Sequence, residues 1–404
     1  MSSSILARLD INGPQVLAIS LGIVFVFYRL LFYDARRKHL PKGPKGWPIV
    51  GNTFQFSMTD NPEPRLIEWA KKYGEIFYLR LGASDFIFLN SGRVVKDLLD
   101  KRGNIYSDKP RLPMAGEAYT RGLNLALMRY DQRWKVVSLK FHLTQTHRRL
   151  MQGMLTQKQA ETFRPIQQFE SQQLAVDWLD NPDNYYEHNR RYAFSLIMQV
   201  VYGRRFPKWG SKEAEGIFAV NKNLGTVMNP GSYVVDTFPS LANIPGFGTI
   251  VGNWRKVGDK LFQADAKILG GYYQRMKDEL KRSVGYPCFA RDLEESDPAS
   301  HGIDETEAAF LAGGLVMPGS ESTSALLNWL VRGLAKWPNV QQEAREELDR
   351  VVGPDRTPRW EDEKSLPYIR AMVKELIRWA PGSKLGIMHS TTQDDWYSTF
   401  FEKN

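Results

Sequence analysis

Cysteine is almost absent from this sequence, in which Cys288 is the only one among 404 residues. A single cysteine excludes an internal disulfide framework and fits a reducing compartment such as the cytosol. The sequence also lacks a Gly-x-Ser-x-Gly elbow, a phosphate loop ending in Gly-Lys-Ser/Thr and a His-Glu-x-x-His motif. Hydrolases and nucleotide-binding proteins that depend on these motifs are therefore unsupported.

Linkers and repeats are missing as well. No Pro/Gly/Ser-rich linker or charge block divides the chain after residue 60, which predicts one large domain. The formal net charge is +9, but lysine and arginine are scattered and form no run interleaved with aromatic residues, so no nucleic-acid partner is expected. The chain does contain 42% hydrophobic and 12% aromatic residues, enough to bury a sizeable core.

The N-terminal region holds the one compositional extreme, an apolar stretch over residues 16–33 that only Arg29 interrupts. This length is about the minimum that spans a bilayer. No small-residue cleavage site follows it, which favours an uncleaved transmembrane anchor over the alternative of a signal peptide. Basic residues are more frequent after the stretch than before it, so the bulk of the chain is expected in the cytoplasm.

The expected organisation is therefore a short tail (1–15), a transmembrane anchor (16–33), a basic and proline-rich hinge (34–52) and a main domain (53–404). Within that domain, apolar periodicity and turn residues predict a mainly α fold with a small β region. The predicted strands cover residues 75–81 and 86–89. The clearest predicted helices cover residues 64–73, 305–336, 339–352 and 367–379.

The predicted helix 305–336 is apolar almost throughout, which predicts that it is buried. Pro318 lies inside it and removes one helical hydrogen bond, at a cost of about 3 kcal/mol. Either the proline is simply tolerated, or it marks a functional groove lined by the polar residues that follow. Glu321, Ser322 and Thr323 could relay protons or hold water against a bound ligand. Further along, Glu375 and Arg378 are three residues apart on a helix and can form an ion pair.

Taken together and in order, these segments resemble a cytochrome P-450 of the fungal microsomal type, a haem-thiolate monooxygenase. The resemblance covers nearly the whole chain and rests on the ordered set of motifs, none of which is specific alone. The set comprises the anchor, the hinge, the proline-containing helix around 318–323, Trp337-Pro338, the run 374–379, and the stretches 106–110, 130–135, 201–205 and 389–397.

The resemblance implies roles for particular positions. Glu321 and Ser322 match the acid and the alcohol that deliver protons in that family, with serine standing where threonine is usual. Trp134 matches an aromatic residue near the haem propionates. Ser138 stands where the family has a basic residue, and Lys135 or Lys140 is the substitute we expect. Glu375 and Arg378 match a structural pair.

The resemblance also implies haem b as cofactor, and NADPH only indirectly, through a membrane-bound NADPH-cytochrome reductase. It implies a lipophilic small-molecule substrate, contacted by residues 110–127 and 382–388, and a single-pass location in the endoplasmic reticulum membrane with the main domain in the cytoplasm. The expected fold is the family's, preceded by a transmembrane helix.

The family's cysteine-bearing haem loop has no counterpart after Arg378, so the expected fold lacks its C-terminal haem-ligand segment. Cys288 precedes the helix with Pro318 and is expected to be an ordinary structural cysteine; no histidine stands out as a substitute, and no metal-ligating residue is assigned. Without an axial thiolate the oxygen chemistry of such enzymes is lost. Two hypotheses remain open, an oxygen-inserting enzyme and a truncated, membrane-anchored chain that binds no haem.

Overall fold

The structure is a computed structural model that describes residues 20–22, 38–57, 62–129, 156–229, 231–382 and 385–397. Most of the expected anchor (16–33) and the predicted haem-contacting residues Trp134 and Lys135 lie outside these residues. Among the helices of the described part of the chain, none has the length and apolar character needed to cross a membrane.

The described chain is mainly helical and forms two compact units. The first unit comprises Met1–Ser107, Asn229–Ile250 and Thr391–Asn404, and the second comprises Asp108–Met228 and Val251–Ser390. The domain boundaries predicted from the sequence stay a prediction.

The first unit contains an antiparallel hairpin of β1 (Ile76–Leu81) and β2 (Ser84–Leu89). Its register runs from Ile76 opposite Leu89 to Leu81 opposite Ser84. The second strand begins two residues earlier than predicted, because Gly82 adopts a positive φ of 62° and the turn needs only Gly82 and Ala83.

The α-helices described in this unit are α1 (Thr53–Ser57), α2 (Glu63–Tyr73), α3 (Gly92–Val95), α4 (Gly103–Tyr106), α9 (Val234–Thr237) and α10 (Phe247–Ile250). Ser91 caps α3 by accepting a hydrogen bond from the Val94 amide at 3.3 Å, as its position predicts. A π-helix, Lys96–Asp100, continues α3. The core of this unit is aromatic, with the Phe77 and Phe88 rings stacked at 5.1 Å.

The second unit is built from long helices, whose bounds are α5 (Gln157–Thr162), α6 (Arg164–Asp180), α7 (Tyr185–Tyr202), α8 (Lys212–Met228), α11 (Trp254–Lys281), α12 (Phe289–Glu295), α13 (Glu305–Lys336), α14 (Pro338–Val351) and α15 (Pro367–Trp379). A π-helix, Pro113–Tyr119, precedes them, and a 3₁₀ helix, Trp360–Ser365, joins α14 to α15. Its main core lies among α7, α8, α11, α12 and α13.

Helix α13 has the predicted bounds and begins with a capping box. Asp304 accepts from the Glu307 amide at 2.8 Å, while the Glu307 carboxylate accepts from the Asp304 amide at 3.1 Å. The prediction that the helix is buried holds for its N-terminal half and not for its C-terminal half. Most side chains from Ala308 to Val316 are buried, whereas those after Ser324 are half-buried or exposed. The main core of the unit draws on α13 only up to Val316.

Candidate functional site

The predicted polar segment of α13 is an unbroken stretch of helix. Pro318 lies inside the helix, which continues on both sides of it. The Ser322 hydroxyl donates to the Pro318 carbonyl at 2.6 Å, and the Ser324 hydroxyl donates to the Ser320 carbonyl at 2.9 Å. These hydroxyl groups therefore bond back to their own helix, and the Ser322 oxygen keeps its lone pairs to accept a hydrogen bond from water or from a ligand.

Glu321 is the acidic residue of this segment, and its side chain is 50% exposed. Its Oε1 lies 3.7 Å from Nη2 of Arg190 on α7 and 3.5 Å from Nδ2 of Asn221 on α8. The Arg190 guanidinium also lies 4.8 Å from the Trp209 ring and 4.7 Å from the Phe218 ring. Aromatic rings hold the arginine in place, so its contact with Glu321 is long and the carboxylate stays accessible to water.

The loop after α15 lies against the same segment. A Cβ atom placed on Gly382 would be 3.6 Å from the Ser322 Cβ, so the backbone of the loop approaches Ser322 closely. Thr323 follows on α13 and is half-buried. The structure thus brings Ser322 together with the start of the predicted substrate-contact stretch 382–388, in which Leu385 and Ile387 are exposed.

The other predicted substrate-contact region, residues 110–127, packs against α8 and α11 through its π-helix. Its π-helix lies along α11, where the Phe262 ring stacks at 5.2 Å on the Phe310 ring of α13. Met114 and Ala115 are fully buried. This region also contains a buried contact that the sequence did not indicate, between Tyr119 and Asp265 of α11.

The predicted pair of Glu375 and Arg378 forms a two-point ion pair on α15. The Arg378 Nε donates to Glu375 Oε2 at 2.7 Å, and Nη2 donates to the other carboxylate oxygen. Arg378 holds the pKa of the Glu375 carboxyl below its usual range. Both side chains are largely exposed, so the pair itself contributes little to stability, and its structural role remains a prediction.

A residue that the sequence analysis missed positions this helix. Glu347 of α14 is buried, and its two carboxylate oxygens accept hydrogen bonds from the backbone amides of Tyr368 at 3.0 Å and Ile369 at 2.9 Å. A carboxylate at a helix N-terminus is favoured by the free amides and by the helix dipole. No local signal predicts it, because the cap comes from a different helix.

Cys288 does not fit as the thiolate ligand of a haem. Its side chain is buried, with 6% of the residue exposed, in the core between α7 and α12, and it immediately precedes the first turn of α12. Burial raises the pKa of the thiol to about 11, so it is protonated at neutral pH. Within the described residues, no group of three or more His, Cys, Asp or Glu side chains is arranged to hold a metal ion.

Comparisons with known proteins give a consistent result. The sequence model of the family described as Cytochrome P450 matches residues 41–398. The chain is 36% identical over 389 residues to cytochrome P450 monooxygenase verL of Clonostachys rogersoniana, covering 96% of this chain and 69% of the relative. It is 30% identical over 399 residues to cytochrome P450 monooxygenase 58 of Postia placenta, covering 98% and 72%. It is also 32% identical over 379 residues to cytochrome P450 monooxygenase virE of Hypocrea virens, covering 93% and 65%.

Proposed function

Because the chain belongs to the cytochrome P450 family, we propose that it is a haem-dependent monooxygenase that inserts one oxygen atom into a lipophilic small molecule. The observation that carries the proposal is the placement of Glu321, Ser322 and Thr323 on α13, with the loop at Gly382 against Ser322. An acid and hydroxyl groups on a largely apolar helix are suited to holding water and moving a proton.

Glu321 and Ser322 have different roles in this proposal. Glu321 is exposed enough to exchange protons with solvent, and the long contact with Arg190 leaves its oxygens available. The Ser322 hydroxyl is fixed by its hydrogen bond to the Pro318 carbonyl, so its oxygen accepts from water in one direction. Haem, the cofactor that the family implies, would supply oxygen activation when bound, and Cys288 does not fit as its thiolate.

The substrate is proposed to be apolar because the two predicted substrate-contact regions contain apolar side chains. Leu385 and Ile387 lie in the stretch that begins beside Ser322, and Phe262 and Phe310 form a stacked pair under the other substrate-contact region. Clefts lined by such side chains bind lipophilic ligands. The relatives named above come from fungi, and we propose a role in fungal secondary metabolism.

We further propose that the protein is anchored in the endoplasmic reticulum membrane by residues 16–33, with its main domain in the cytoplasm. The apolar stretch in the sequence supports the anchor, and the basic residues after it support the orientation. A membrane-bound NADPH-cytochrome reductase would then be the electron donor.

A second candidate is that this chain does not turn over and binds no haem. The observation that favours it is the state of Cys288, which is the only cysteine of the sequence and is buried and protonated. Oxygen activation of this kind depends on electron donation from an axial thiolate.

The absorbance of the full-length chain in detergent, reduced with dithionite under carbon monoxide, distinguishes the two candidates. The monooxygenase proposal requires the red-shifted Soret band of a thiolate-ligated haem. Because Cys288 is the only cysteine of the sequence, a band of this kind must disappear in Cys288→Ser. A wild-type chain that gives no haem band after reconstitution with haemin would contradict the monooxygenase proposal and support the second candidate.

A further inference from the structure

A buried carboxylate lies where three elements of the second unit meet. Asp265 is in the middle of α11, and 1% of it is exposed. The Tyr119 hydroxyl, at the end of the π-helix, donates to its Oδ2. Asn223 of α8 donates through Nδ2 to its Oδ1 at 2.8 Å. Each carboxylate oxygen is therefore bound by a neutral donor from a different element.

The segment that covers Asp265 lies flat on α11. We call residues 113–121 the cover segment. Arg121 forms an ion pair with Asp259 and places its guanidinium 4.0 Å from the Phe262 ring centre. A Cβ on Gly258 would come within 2.7 Å of the Ala118 Cβ. The cover segment is thus fixed by contacts on both sides of Tyr119, at Ala118 and at Arg121.

Among the described residues, no cation balances Asp265. Burial raises the pKa of Asp265, and the hydrogen bonds from Tyr119 and Asn223 oppose that rise without cancelling it. The charged groups of the cover segment are bonded elsewhere, Glu117 to Arg111 at 2.6 Å and Arg121 to Asp259.

Burial couples the protonation of Asp265 to closure of the cover segment over it. Tyr119 and the cover segment exclude water from the carboxyl group, so closure favours its protonated form. A group that binds its proton more tightly in the closed state stabilises that state at low pH, and this contribution is lost as the pH rises through the raised pKa. Ionisation of Asp265 therefore favours release of the cover segment.

We infer that Asp265 is a positioning residue, which fixes the cover segment against α8 and α11 through Tyr119 and loosens it on losing its proton. The inference rests on the proposed function for one clause alone, that the cover segment contacts the substrate. Asp265 thereby controls how firmly the cover segment, which belongs to the proposed substrate-contact region 110–127, is held against α11.

The test is hydrogen exchange of the full-length chain in detergent, without substrate, from about pH 4 to about pH 8, with rates corrected for the intrinsic pH dependence of exchange. The reporters are the Gly116 and Thr120 amides, which donate to Leu112 and Ala115 at 2.7 and 3.1 Å. Their protection is expected to fall with rising pH, by about tenfold for each pKa unit that closure adds to Asp265.

The variant Asp265→Asn keeps an oxygen acceptor and cannot ionise, so its protection is expected to be independent of pH. A wild-type cover segment with pH-independent protection, or Asp265→Asn with the wild-type dependence, would overturn the inference. Tyr119→Phe removes the hydroxyl and leaves the acid in place, and we expect it to lower protection of the cover segment at every pH.

The matched control for Tyr119→Phe is Tyr273→Phe. Tyr273 lies on α11, is buried like Tyr119, and donates to the carboxylate of Glu294 at 2.9 Å. The control variant should leave the cover segment unchanged; equal effects of the two tyrosine variants would contradict the inference. A lipophilic ligand added to the same assay separates the two proposals. Protection that follows Asp265 but does not respond to any such ligand would leave the positioning role intact and count against the substrate role.

Discussion

Two buried carboxylates in the second unit are stabilised in opposite ways. In the described part of the chain, the donors to Asp265 are neutral. Glu170 of α6, which is fully buried, instead pairs with the guanidinium groups of Arg191 and Arg205. Ser195 and Gln199 also donate to Glu170, at 3.0 and 2.8 Å. Glu170 therefore accepts hydrogen bonds from two guanidinium groups and two neutral side chains, and these partners depend on it in return.

Replacing Glu170 with glutamine should destabilise the protein, because buried Arg191 would lose one of its two carboxylate partners. The expected loss in the free energy of unfolding is about 3 kcal/mol, measured by urea denaturation. Glu161→Gln is the matched control: its pair with Arg164 is exposed, and it should change the free energy by less than about 0.5 kcal/mol. A loss below about 1 kcal/mol in Glu170→Gln would show that Arg191 and Arg205 find other compensation.

The sequence could indicate some of the candidate site residues but not their neighbours. Glu321 and Ser322 stand in a recognisable motif, and Glu375 and Arg378 are close in sequence. Arg190 contacts Glu321 across a separation of more than a hundred residues, and nothing local to either residue indicates that contact. Buried polar contacts between distant elements depend on the packing of the whole unit, which periodicity does not supply.

At the scale of elements, the approach of the cover segment to α11 requires a glycine. A side chain at Gly258 would meet the Ala118 Cβ at 2.7 Å and its backbone carbon at 3.0 Å, and backbone atoms cannot rotate away. At Gly270, also on α11, such a Cβ would meet no atom of another described element within 4 Å. The same substitution should therefore have opposite effects at the two positions.

Gly258→Ala is expected to cost about 2 kcal/mol through overpacking and to increase exchange at the Thr120 amide. Gly270→Ala should stabilise the helix by up to about 1 kcal/mol, since alanine has the higher helix propensity. Thermal unfolding followed by circular dichroism measures both. Destabilisation of equal size in the two variants would mean that contact with Ala118 is not the reason for Gly258.

The presence and bounds of a helix are easier to predict from the sequence than the elements that pack against it. Helices α13 and α15 have the predicted bounds, because proline, glycine and capping residues mark their ends. The burial of α13 was predicted wrongly beyond Ser324, since an apolar composition does not tell which neighbours are present. On α15 the apolar residues Val373 and Ile377 are 48% and 53% exposed, which the helical pattern alone would not suggest.

At the scale of the whole molecule, the compact units are not continuous in sequence. The first unit gathers three separate stretches of chain, and a search for linkers cannot reveal such an arrangement. Fold class follows from composition and periodicity, whereas grouping of distant stretches follows from contacts that only the structure shows.

The membrane anchor expected at residues 16–33 bears on where the whole molecule is located. We predict that the protein stays in the membrane fraction after alkaline carbonate extraction. The double substitution Val24→Arg and Val26→Arg should release it, because each arginine near the centre of a spanning helix costs about 3 kcal/mol. Leu179→Arg, at an exposed position of α6, should leave the distribution unchanged. Retention of the double variant on membranes would argue that residues 16–33 are not the anchor.

The cap formed by Glu347 also bears on the timing of synthesis. Tyr368, whose amide it binds, follows it by 21 residues. A ribosome adds about 5–20 residues per second, so α14 has about a second or more to form before the first turn of α15 is made. The carboxylate is then already in place as an acceptor, and α15 can begin folding at its own first residues while the rest of the helix is still being translated.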